Sequence, residues 1–123
     1  MRFYTLAGAA LAALLIAAPV APAFAHAELE TAVPAVDSTI AAPTELRLDF
    51  SEDLELAFTT LVLAGADGAA IATGAPALDP ADGSILVVPL SAPLAAGAVH
   101  VDWKAVAADG HKSEGSYSFT VTP

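Results

Sequence analysis

Residues 99–104 read Val-His-Val-Asp-Trp-Lys, an alternation of apolar and polar side chains with period two. A helix of the same residues would smear Val99, Val101 and Trp103 around its circumference. A strand puts all three on one face and His100, Asp102 and Lys104 on the other. The same period recurs on both sides. Upstream, Leu46, Leu48 and Phe50 alternate with Arg47 and Asp49; downstream, Tyr117, Phe119 and Val121 alternate with Ser116, Ser118 and Thr120. Ser84 to Pro89 is β-branched and apolar throughout, as expected of a strand covered on both faces. Phe58 to Leu63 predicts a further strand, Ala66-Asp67-Gly68-Ala69 a hairpin turn into a short strand around Ile71, and Glu28 to Val33 the first strand. Prolines and glycines break the chain about every ten residues, and no segment carries a helical stripe. The pattern predicts an all-β domain, a seven-stranded Greek-key sandwich.

The chain ahead of these strands has a different character. Arg2 precedes an apolar or small-residue run from Leu6 to Ala18, Pro19 and Pro22 end it, and Ala23-Phe24-Ala25 offers the small-x-small pattern of signal-peptidase sites. The run falls short of the roughly 20 residues that a bilayer span needs. Residues 1–25 are therefore expected to be a signal peptide cleaved after Ala25, leaving one exported, non-membrane-spanning domain over 26–123. With no cysteine, neither disulfides nor thiolate metal sites are available, so packing alone must hold the domain. All 14 acidic residues lie beyond residue 25, where only Arg47, Lys104 and Lys112 oppose them. Such a surface repels nucleic acid and anionic lipid and attracts cations.

If successive strands alternate in direction, four places share one pole: His26, Ser51-Glu52-Asp53, the segment from Ala75 to Gly83, and Asp109-Gly110-His111. Cleavage after Ala25 would give His26 two donors, its α-amine and Nδ1, which close a six-membered chelate ring on one metal. The reference pKa values of amine and imidazole, roughly 7.7–8 and 6.5, leave both available near neutrality. His111 can add a third nitrogen and Asp109 an oxygen, with Gly110 allowing the tight loop between them. Three nitrogens and a carboxylate suit tetragonal Cu(II); zinc also accepts such ligands but ranks lower in affinity. Without His26, Asp-Gly-His would be an ordinary polar hairpin turn. Met1 is the only methionine and leaves with the leader, so no Cu(I) methionine site is expected. His100 is read as a solvated strand residue, Trp103 as core, and Asp79 and Asp82 as surface charges.

In its order of motifs the chain resembles the CopC family of exported bacterial copper-binding proteins. The matching stretches are H-A-E-L at 26–29, V-P-A at 33–35, L-R-L-D-F-S-E at 46–52, V-D-W-K-A-V-A-A-D-G-H at 101–111 and G-S-Y-S-F-T-V at 115–121. The resemblance implies an Ig-like β-sandwich or barrel, a periplasmic location and one Cu(II) per chain. It implies His26, Asp109 and His111 as ligands, with Glu52 in a supporting role. Some members carry a methionine-rich Cu(I) loop, but Leu54 to Ala70 contains neither methionine nor histidine, so the implied protein is of the Cu(II)-only type. Such proteins serve copper resistance, homeostasis or uptake without being enzymes, and many work beside an inner-membrane CopD-like protein. The alternatives are a small histidine-brace copper oxidase or monooxygenase, and an Ig-like assembly module that binds no metal.

Overall fold

Wherever apolar residues recur at period two, the chain forms a strand and the apolar face is buried. The computed structural model describes residues 26–123; the leader reading of residues 1–25 lies outside the described residues. The strands are β1 (Leu29–Val33), β2 (Thr39–Ile40), β3 (Glu45–Phe50), β4 (Thr60–Gly65), β5 (Ala70–Ile71), β6 (Ala77–Asp79), β7 (Asp82–Pro89), β8 (Gly97–Val106) and β9 (Lys112–Val121). They form a four-stranded sheet in the order β1-β3-β7-β6 and a five-stranded sheet in the order β2-β9-β8-β4-β5. The chain changes sheets after β1, β2, β3, β5 and β7, which gives the crossovers of a Greek-key sandwich.

The two inner faces supply the core. Leu46, Leu48 and Phe50 of β3 sit beside Leu86 and Val88 of β7, with Leu46 opposite Val88 and Leu48 opposite Leu86. In the other sheet Val99 lies opposite Phe119, Val101 opposite Tyr117 and Trp103 opposite Gly115. All of these apolar side chains are buried, and the ring of Phe50 meets that of Trp103 edge to face across the sandwich, at 5.1 Å between centroids. Each fully buried Leu, Val or Phe contributes on the order of 1.5–3 kcal/mol, which a domain without disulfides needs.

Nine strands replace the expected seven because two short segments pair at sheet edges. β2 adds two residues alongside β9 in the parallel sense. β6 pairs with β7, and Arg47 of β3 reaches across to Asp79 at 2.8 Å. Asp79 also accepts the Ala81 N–H, and Asp82 accepts the N–H and hydroxyl of Ser84, so both aspartates organise the β6–β7 turn. The Arg47 guanidinium, then the Ala81 N–H, holds the Asp79 carboxyl below its usual range. Strand β4 starts at Thr60 rather than Phe58, because Leu56–Phe58 form a single 3₁₀ turn that leaves the Phe58 ring outside. Among the described residues no helix is long and apolar enough to cross a membrane.

Candidate metal centre

The long β8–β9 hairpin carries the first half of the site in its turn. The Ala107 N–H donates to the His111 carbonyl and the Gly110 N–H to the Ala107 carbonyl, at 2.9 and 2.8 Å. Gly110 has φ of 89°, where a side chain would be strained. No neighbour lies within 4 Å of a Cβ built there, so backbone conformation alone demands glycine. The Asp109 carboxylate folds back on His111: Oδ1 accepts the His111 backbone N–H at 3.0 Å, and Oδ2 lies 2.9 Å from Nδ1. The His111 backbone N–H, then its imidazole, holds the Asp109 carboxyl below its usual range. A neutral His111 ring with its proton on Nδ1 keeps the lone pair on Nε2, the arrangement by which carboxylates orient metal-binding histidines.

The second half comes from the segment ahead of β1. Ser51, just past β3, donates its hydroxyl to the His26 carbonyl and accepts the Glu28 N–H, both at 2.9 Å. Its own N–H donates to the Glu28 carbonyl at 2.8 Å. Ser113, at the start of β9, donates to the Ala27 carbonyl, and the Ala27 side chain is fully buried. Residues 26–28 are thus stitched to both sheets. The outcome is that the His26 ring stands edge-on to the His111 ring, 5.7 Å between centroids at 81°.

The shared pole is therefore present for three of its four expected parts. The Ser51–Asp53 loop joins through the Ala108 N–H, which donates to the Asp53 carbonyl at 2.8 Å, and half-buried Glu52 lines a cleft with Ser51, Asp53 and Asp109. The fourth part divides. Gly83 lies at this pole, where its carbonyl accepts the Leu54 N–H, whereas Gly74, just ahead of the segment, donates its N–H to the Pro89 carbonyl at the other end. Within the expected loop from Ala75 to Gly83, β6 occupies Ala77–Asp79 and β7 begins at Asp82.

His26, His111 and Asp109 are neighbours but not a closed cage: among the described residues no group of three or more His, Asp or Glu forms a metal-holding cluster. Both Asp109 oxygens are turned to His111, and in the 123-residue chain the His26 nitrogen is an amide rather than an amine. The Ser51 loop was expected at the pole but not its clamp on residues 26–28, and Ser113 was not expected there at all. Ser51 is the centre of the F-S-E stretch, and its strand-end position beside His26 was the available signal. His100 stays on the outer face with Nδ1 2.7 Å from the Ser118 hydroxyl, and Trp103 is core, as expected.

Comparison with known proteins adds an independent line. A family model described as the CopC domain matches residues 29–122. Copper resistance protein C of Escherichia coli is 41% identical over 108 residues, covering 80% of this chain and 83% of the relative. Protein YobA of Escherichia coli K12 is 37% identical over 111 residues, covering 89% and 90%. Among solved structures, PcoC, a methionine-rich copper resistance protein from Escherichia coli, superposes with a TM-score of 0.72 at 38% identity, covering 80% of this chain and 100% of that one. CopC from Methylosinus trichosporium OB3b gives a TM-score of 0.73 at 28% identity, over 80% and 95%.

Proposed function

The chain belongs to the CopC domain family, and from that premise we propose that it is a periplasmic copper resistance or homeostasis protein that takes one Cu(II) as cargo. The observation that carries the reading is the juxtaposition of His26 with His111, 85 positions apart in sequence and 5.7 Å apart between rings. Once a signal peptide is removed after Ala25, His26 offers its amine and Nδ1, and His111 offers Nε2. Asp109 supplies an oxygen when the metal competes it away from His111, and Glu52 supports from the neighbouring loop. Three nitrogens and one carboxylate fit Cu(II) ahead of other available divalent ions. The same carboxylates at the pole attract the cation before it is bound. No reaction is required of this site, so the protein is a carrier or buffer rather than an enzyme. An inner-membrane CopD-like protein is the partner expected to receive or supply the metal.

Processing is the decisive test. The chain beginning at His26 is expected to give a nitrogen-rich tetragonal Cu(II) EPR spectrum at one equivalent, altered in both His26→Ala and His111→Ala. A form with one extra residue ahead of His26 loses the amine chelate and should bind on the order of 100-fold more weakly. Equal affinity of the two forms would remove the N-terminal chelate. Affinity should fall as pH drops, because the amine and imidazoles must shed protons to bind. With ascorbate and oxygen, the copper-loaded protein should turn over no faster than free copper; rapid turnover on a polysaccharide would instead favour the oxidase reading.

A further inference from the structure

Phe58 is a large ring left in water. The 3₁₀ turn that delays β4 leaves it 68% exposed, and Val62, on the outer face of β4, is also 56% exposed. One exposed apolar residue is ordinary on any surface. The surroundings of this one are not. A groove of about 1060 Å³ is lined by Phe58, Lys104, Lys112 and Gly110, against about 430 and 530 Å³ for the clefts beside Asp109 and His26. Two of the three cations beyond residue 25 therefore share one groove with a single aromatic ring, on a domain with 14 carboxylates. Arg47, the third, is committed to Asp79 and Glu45. Among the described residues Lys104 and Lys112 form no ion pair, although Glu114 lies directly across from Lys104 in the sheet.

We propose that the Phe58, Lys104 and Lys112 surface docks a partner protein that presents an apolar socket flanked by carboxylates. Charge complementarity selects this occupant over two others. Screening confines the field of two lysines to about 8 Å, so a compact acidic feature on a partner meets them. An anionic membrane plane would instead face the carboxylates of the whole domain. A second copy of this chain carries the same excess of carboxylates, and the wide repulsion between copies opposes self-docking. The ring supplies the apolar area at the centre of the contact, and the lysines set orientation at its rim. Because Gly110 lines this groove, a bound partner stands next to the turn that carries His111. The inference does not depend on which metal that turn binds, or on whether it binds one.

Site-specific photo-crosslinking tests it. A benzoyl-phenylalanine replacing Phe58 in the full-length protein, expressed in its own cells, is expected to give one dominant protein adduct. Mass spectrometry should find the adduct in a segment rich in Asp and Glu. Lys104→Glu with Lys112→Glu should cut its yield at least about tenfold, as expected when rim charges are reversed, while an unchanged thermal unfolding midpoint shows that the fold is intact. The same photo-residue at Val33, equally exposed on the other sheet, should not give that adduct. A self-adduct, a lipid adduct, no adduct, the same adduct from Val33, or a yield indifferent to charge reversal would each overturn the proposal.

Discussion

Asp109 and Tyr117 show how one side chain's surroundings decide what it can do. The Asp109 carboxylate spends both oxygens on His111, so before any metal arrives it acts as an orienting group for the imidazole. Its lowered pKa means that this grip is present above the ordinary carboxylate range and is lost as pH falls through the depressed value. Tyr117 is the opposite case. Its hydroxyl is buried without a hydrogen-bond partner among the described residues, and burial pushes the phenol up to about 12. Below its ordinary value of 10 the phenol is neutral whether the chain is folded or not. Between 10 and about 12 the unfolded chain ionises first, so this residue withdraws stability as pH rises. Tyr117→Phe is expected to flatten that alkaline decline. It should also raise stability near neutrality by about 1 kcal/mol, since a buried orphan hydroxyl is removed. Urea unfolding at pH 7, 10 and 11.5 checks both; a destabilised variant with the same alkaline slope would show that the hydroxyl has a partner after all.

At the level of elements, the long strands were legible because one face of each is dry. Val99, Val101 and Trp103 could be read inward from alternation alone, and so could Leu46, Leu48 and Phe50. β2 and β6 could not, because strands of two and three residues are too short to show a period and are held by their neighbours. β6 depends on pairing with β7 and on the Arg47–Asp79 contact, neither of which leaves a local trace in the sequence. His26, Asp109 and His111 were legible as neighbours by strand direction, whereas the Ser51 and Ser113 clamps depend on tertiary distance. The β8–β9 pairing hides one further constraint at Gly115. The Trp103 indole lies over it, and a Cβ there would sit 2.5 Å from Cζ2 of that ring. A glycine inside a strand marks such a close approach. Gly115→Ala must push the indole off Phe50 and should cost about 1–3 kcal/mol. Thermal unfolding with Trp fluorescence measures it, and a neutral result would mean that the ring relaxes without losing its packing.

For the whole molecule the dominant quantity is charge, with 14 carboxylates set against four Lys and Arg. Glu28, Glu52, Asp53 and Asp109 lie at the pole that carries the two histidines, while Lys104 and Lys112 border a separate groove. A divalent cation approaching that pole is therefore drawn by a field summed over many groups, and the final bonds are made by few. The two contributions separate by ionic strength. From about 0.01 to 0.15 M salt the screening length shrinks from roughly 30 to 8 Å, which removes distant carboxylates from the approach but leaves short bonds unaffected. The association rate of Cu(II) with the chain beginning at His26 should fall on the order of tenfold over that range, with dissociation nearly constant. Trp103 lines the same cleft as His26, so quenching of its fluorescence by the paramagnetic ion gives a stopped-flow signal. Were association flat and dissociation salt-sensitive, the acidic surface would have no part in capture. The carboxylates would then have to be sought among the metal's own ligands.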